Sequence, residues 1–309
     1  MTAISAKYDQ LIADLRQNYR PQREWGEGRG VFLVVGHFLV GVAAGTWLFG
    51  LLFAYTPGLF AAFFLAGAGG LAHLLFLGKP ERFWRMALHV RTAWISRGFI
   101  GLTLFLVGAV LYLPPLAFPG LLWSAAGAVA WLGWLMAAVG MLVMMGYMGF
   151  VYSASKGVPF WNSPLHPVLY VSYALRGGVA ALLVEMALMG APNDSIVDML
   201  LKIWMAITAL VIVLFILELH GATVGGNAAA RQSVRELLAG RLAAIFYSGT
   251  LLLGIVLPAI LATGRIAALD LLAIAAVGLL SVLGDFFIKY TTIKAGIYVP
   301  LRLPTRSHA

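Results

Sequence analysis

The chain has 309 residues, 61% of them hydrophobic and only 11% charged, and it contains no cysteine. A soluble domain carries about a quarter charged residues, so the composition excludes one, and without cysteine there are no disulfides, thiolate zinc sites or iron–sulfur clusters held by this chain alone. The net charge of +9 does not indicate nucleic acid, because the basic residues sit in short loops between apolar runs, as in a membrane protein.

Residues 1–30 are polar, and the first apolar run is too long for the h-region of a signal peptide, so none is expected. Within this segment Tyr8, Leu11, Ile12, Leu15 and Tyr19 recur at helical spacing among Asp, Arg and Gln. That pattern predicts an amphipathic helix on the membrane surface or against a partner. Apolar runs of spanning length then fall at 31–55, 59–78, 99–118, 121–152, 168–190, 196–220, 242–263 and 268–290. A span needs about 20 residues to cross a hydrocarbon core of about 30 Å. The breaks carry turn chemistry at Thr56-Pro57-Gly58, Pro114-Pro115, Pro119-Gly120, Pro192-Asn193-Asp194 and Gly264-Arg265. The expected fold is an all-α integral membrane protein of eight transmembrane helices, with both termini on one side. It divides into a segment 1–30, four-helix bundles over 31–152 and 153–290, and a tail over 291–309.

Charge sets the orientation. Of the 21 basic residues, 18 fall on the face shared with the termini when Lys289 is counted at the end of the last span. The opposite face has Arg265, and Arg176 and Lys202 lie within spans. By the positive-inside rule the termini are expected to be cytoplasmic.

Ionisable groups inside spans are costly in a bilayer, so each is a functional candidate. His37 lies about two turns into the first span from the terminal side. His73, Tyr147 and Tyr152 lie near the same side on the second and fourth spans. Arg176 lies deeper in the fifth, Glu218 and His220 close the sixth, and Asp285 sits in the last turns of the eighth. This clustering suits a quinone, whose carbonyl oxygens need hydrogen bonds and whose redox change needs an acid or base nearby. Each candidate also has a structural reading. His37 can touch a neighbouring helix, His73 and His220 read as structural, the tyrosines can be interfacial aromatics, and Arg176 can pair with Asp285 or Glu218. Glu185 and Lys202 lie toward the far face at similar depths on consecutive spans, predicting an ion pair or a proton path. Gly41-Val-Ala-Ala-Gly45 predicts close helix packing.

The loop Gly78-Lys-Pro-Glu-Arg-Phe-Trp-Arg-Met-Ala-Leu-His-Val-Arg-Thr-Ala-Trp-Ile-Ser-Arg-Gly98 interleaves arginines with aromatics. It is an interfacial anchor, and Arg82, Trp84, Arg85, Arg91 and Trp94 suit docking of a soluble subunit.

Three segments carry a resemblance: Glu24-Trp25 leading into Gly36-His37 and Gly41–Gly45, the loop just quoted, and Gly284-Asp285-Phe-Phe-Ile-Lys-Tyr290. Together with eight spans they resemble the NrfD/PsrC family, the membrane subunits of polysulfide-reductase-like complexes. The resemblance implies a haem-free anchor that binds quinone (ubiquinone or menaquinone) and holds no iron–sulfur cluster of its own. The implied partners are a four-cluster iron–sulfur subunit and a molybdenum or tungsten bis-pterin catalytic subunit. His37 matches a quinone-contacting position, and either Tyr147 or Tyr152 matches a second; Arg176 and Asp285 join them as candidates from depth alone. Because the quinone cluster and the positive charge share a face, cytoplasmic partner subunits are expected. The competing readings are a b-haem anchor, for which His37, His73 and His220 supply at most one pair, and a secondary transporter, whose sites gather at the midplane.

Overall fold

The computed structural model describes residues 8–9, 12–13, 19–120, 123–190, 194–265 and 270–299. Leu11 and Leu15 of the amphipathic segment, the Pro192–Asn193 turn and the tail from residue 300 lie outside the described residues. Among the described residues every regular element is helical, apart from an isolated antiparallel bridge between Pro21 and Ile297.

In chain order the helices are α1 Gly30–Leu52, α2 Thr56–Phe76, α3 Trp94–Tyr112, α4 Ala128–Ser153, α5 His166–Leu188, α6 Asp194–Val224, α7 Ala228–Leu238, α8 Ala243–Gly264 and α9 Leu271–Lys294. All but α7 are long and apolar enough to cross a membrane, which makes eight spans. Proline sits in the first turn of α2 and α5, where its missing N–H costs nothing and its fixed φ fits a helix start. Pro114-Pro115 ends α3 proper and leads into one further turn, Pro114–Ala117.

The element bounds depart from the sequence reading where polar residues begin or end a helix. The third span starts at Trp94 rather than residue 99, because Ser96 and Arg97 are accommodated in its first turn. The sixth runs on past His220 to Val224, and the last runs on to Lys294. Lys289 is therefore a buried residue of α9, with 2% exposure, and does not belong to the loop charge.

α1 packs on α2, α4, α5 and α9, and α3 pairs with α4; α5 in turn packs on α6 and α9, and α8 on α9. α1 and α5 meet where the Gly41–Gly45 motif predicts. A Cβ on Gly45 would stand 3.0 Å from the Cα of Gly178, so only small residues allow the crossing.

On the face where α1 begins, the chain ends are tied together. Gln22 N donates to Gly296 O (2.8 Å), Tyr298 N to Arg20 O (2.9 Å) and Val299 N to Gly157 O (3.1 Å). Glu27 pairs with Lys294 across the same face at 3.3 Å. The loop after α2 forms a 3₁₀ segment over Pro80–His89 with no buried residue.

Candidate functional site

One cluster forms where α1, α2 and α4 approach the N-terminal face. His37 on α1 is buried, and its ring centroid is 5.0 Å from that of His73 on α2. Tyr147 and Tyr152 on α4 place their rings edge-on to His37 at 6.3 and 6.4 Å. Two glycines make the room. A Cβ on Gly36 would stand 2.6 Å from His73 Cε1, and one on Gly98 would stand 2.7 Å from Tyr147 Cγ.

The hydrogen bonding within the cluster is asymmetric. His73 Nδ1 lies 2.7 Å from Gly69 O, an oxygen that only accepts, so Nδ1 carries the proton. Nε2 of the neutral ring then accepts from Tyr147 Oη at 3.4 Å. By contrast, His37 Nδ1 is buried without a partner, and the buried hydroxyls of Tyr152 and of Tyr170 on α5 have only each other. A buried polar atom left unsatisfied costs about 1–3 kcal/mol, so the open His37 Nδ1 needs an explanation outside the chain.

Around Tyr152 the structure adds residues that the sequence did not single out. Trp25, from the segment before α1, reaches Tyr152 at 5.7 Å, and Trp161 follows at 5.0 Å. Trp161 Nε1 donates to Thr292 O (3.1 Å), which fixes the indole. Tyr170 and His166 on α5 complete the cage at 5.2 and 6.0 Å. His166 Nδ1 lies 3.4 Å from Glu218 Oε1, and Glu218 Oε2 accepts from Ser163 Oγ at 2.6 Å. Their only sequence signals were His166-Pro167 at a helix start and Glu24-Trp25 before the first span.

Arg176 and Asp285 form a different centre, on α5 and α9. They pair directly with each other, and Arg176 Nε donates to Thr208 Oγ1 of α6 at 2.9 Å. Arg176 Nη2 donates to Gly254 O of α8. An α-helical partner for that carbonyl is excluded by the sequence: residue 258, four positions on, is proline and has no N–H to offer it. Residues 246–256 are wound as a π-helix at this point. Arg176 is thus consumed by its neighbours, and the expectation that it and Asp285 join the His37 cluster is corrected. Between the two centres lies Lys289, with its Nζ 5.7, 5.6 and 5.9 Å from the ring centroids of Phe38, Tyr170 and Tyr173.

The far-side pair is also corrected. Lys202 bonds Asp198 one turn earlier on α6 (2.6 Å) and is 63% exposed, whereas Glu185 is half-buried with Oε2 unpartnered. Equal depth on consecutive helices did not give equal azimuth. In the basic loop, Arg82, Trp84, Arg85 and Arg91 are exposed, with Arg85 over the Trp84 ring at 5.5 Å. Trp94 is half-buried and stacks on Phe150 at 4.2 Å with Arg97 above it, so it is an internal anchor first.

The sequence profile described as polysulphide reductase, NrfD matches residues 25–300. The chain belongs to the NrfD family. Among its relatives, Protein NrfD of Escherichia coli (strain K12) is 26% identical over 247 residues, covering 74% of this chain and 78% of that protein. The protein is accordingly a multi-pass membrane protein of a family whose members are membrane subunits of redox enzyme complexes.

Proposed function

We propose that this NrfD-family chain is the quinone-reactive membrane subunit of such a complex, exchanging electrons between the quinone pool and an iron–sulfur partner subunit of a molybdenum or tungsten oxidoreductase. The observation that carries the reading is the buried, unpartnered His37 Nδ1 next to the Tyr152 hydroxyl, whose one neighbour is the Tyr170 hydroxyl, beside the engaged His73–Tyr147 pair. His37 and Tyr152 can both donate to a carbonyl oxygen, which is what a quinone head group offers. Bound there, a quinone supplies two-electron, two-proton redox chemistry that no side chain of this chain has.

The residues divide the remaining work. His37 and Tyr152 orient the head group and exchange its protons. His73 holds Tyr147 in place through the Nε2 bond, with its own tautomer fixed by Gly69 O. Trp25, Trp161 and Tyr170 wall the space and keep water out. His166 with Glu218 is an acid/base pair lying from Tyr152 toward the N-terminal face. The b-haem reading has less support, because both ring nitrogens of His73 are taken and its ring lies 5.0 Å from that of His37. An iron between two imidazoles needs a free nitrogen from each.

We take the N-terminal face as cytoplasmic from its positive charge, with the exposed Arg82, Trp84, Arg85 and Arg91 docking the partner. The test is His37→Ala in membranes, with complex assembly checked by co-purification. Quinone-linked turnover is expected to fall by about 100-fold or more, in the range of lost acid–base catalysis, while turnover with an artificial dye at the partner persists. Unchanged quinone turnover would make His37 a packing residue.

A further inference from the structure

The His–Tyr cluster is buried, and a quinone arriving from the bilayer carries a long polyprenyl chain that must lie somewhere apolar. Two lateral grooves on the described surface are candidates.

The first, of about 440 Å³, lies between α3 and α4. Its walls include Trp94, Arg97, Ile100, Leu104, Leu142 and Tyr147. From Trp94 to Leu104 is ten residues, about 15 Å of helix rise. That is half of a hydrocarbon core of about 30 Å. The groove thus runs from the N-terminal interface, where Arg97 and the Trp94–Phe150 stack form the rim, to the middle of the bilayer. Tyr147 is common to the groove and the cluster: its ring lines the one, seated against Gly98, while its Oη bonds His73 in the other.

The second groove, of about 530 Å³, is formed by α1, α2, α5 and α9. It reaches only as far as Phe38, whose ring stands edge-on to Phe286 at 5.6 Å. None of His37, His73, Tyr147 and Tyr152 lines it, and its charged residue, Glu185, lies toward the opposite face.

We propose that the α3–α4 groove seats the polyprenyl tail of the quinone and is the lateral route by which the head group reaches Tyr147 and His37. The inference rests on the quinone reading of the cluster. Tail recognition is by apolar contact alone, so it tolerates chain length but not obstruction. Arg97 at the rim keeps its guanidinium on the carbonyls of Val90 and Arg91 (both 3.0 Å), which holds the mouth of the groove open on the loop side.

Leu142→Trp and Ile100→Trp fill the groove with bulky apolar groups. Leu142 is exposed and Ile100 half-buried, so neither change opens a cavity in the core. The readout is the ratio of kcat/KM for a long-tailed quinone to that for a tail-less analogue, measured on the assembled complex in detergent. The ratio is expected to fall ten-fold or more in both variants. As a control, Ala68→Trp obstructs the other groove at an exposed position and should leave the ratio unchanged. A constant ratio in Leu142→Trp and Ile100→Trp overturns the proposal, as does a drop confined to Ala68→Trp. A failure of the quinone reading is separate from both: His37→Ala would then leave turnover of both quinones at the wild-type level.

Discussion

Two buried polar centres lie side by side in this protein, and they are built on opposite principles. At Arg176 the guanidinium is matched by Asp285, Thr208 and the Gly254 carbonyl, drawn from three other helices, while Asp285 Oδ2 is left without a hydrogen-bond partner. At His37 the groups are aromatic rings, where His37 Nδ1 faces nothing in the chain and the Tyr152 hydroxyl has only that of Tyr170. A charge in a bilayer has to be neutralised by the protein itself, so a matched ion pair in a span is evidence for architecture. A neutral donor left open within an aromatic cage is evidence for a ligand that comes and goes. Depth in the membrane does not separate the two cases, whereas the pairing of charge does.

The largest effect should come from breaking the closed centre. Asp285→Ala leaves the Arg176 guanidinium buried without its counter-charge, and removing one partner of a buried pair costs about 3–5 kcal/mol. Thermal unfolding in detergent and the yield of assembled complex should both drop sharply. The double variant Arg176→Met with Asp285→Leu should recover the part of the loss owed to Arg176, since it leaves no stranded guanidinium; the rest belongs to buried Lys289, which also faces Asp285. If the double variant were as unstable as the single one, the ion pair would be more than a scaffold.

Tyr152→Phe tests the open centre in the opposite sense. It removes a hydroxyl whose one partner in the chain is the Tyr170 hydroxyl, so stability should change by no more than about 1 kcal/mol. Quinone-linked turnover should nonetheless fall about ten-fold, the loss of one oriented donor at about 1.4 kcal/mol. A destabilised Tyr152→Phe with normal turnover would turn the comparison round and make Tyr152 a packing residue.

The next effect down lies outside the membrane. Trp84 and Arg85 are exposed and stacked on one another, and Trp and Arg are the residues that most often anchor interfaces. Replacing either by Ala should weaken partner retention by about 1–2 kcal/mol, read as faster loss of the soluble subunits on dilution. The thermal stability of this chain should stay where it is.

How much of this was legible in the sequence depends on what kind of quantity was being read. Hydropathy is a sum along the chain, and it gave eight spans. It erred at ends where polar residues are absorbed into helices, as at Ser96–Arg97 and beyond His220, and Lys289 was misplaced for the same reason. Site membership depends on azimuth and on close approach, and neither is a sum. His37, Tyr147 and Tyr152 share a depth, and the structure brings their rings into one cluster. His73 was read as structural because the two gaps that bring it against His37 and Tyr147 are glycines, Gly36 and Gly98, on other helices. Arg176 shares much of that depth but faces α6 and α8, and Asp285 faces Arg176. Trp25, Trp161 and His166 lay outside the assigned spans, where depth had nothing to say.

The smallest predicted effect settles the far-side carboxylate, where depth alone had suggested a pair. Lys202 is taken by Asp198 in an i, i+4 contact whose partners are 63% and 36% exposed. Such a pair contributes about 0.3–0.5 kcal/mol at most. A double-mutant cycle on Asp198→Asn and Lys202→Met should return a coupling of that size. The same cycle on Glu185→Gln and Lys202→Met should return none, because neither group contacts the other. A coupling above about 1 kcal/mol between Glu185 and Lys202 would show that they meet in the working complex. The far side would then hold a second closed centre like that of Arg176, instead of a solitary carboxylate at the edge of an apolar groove.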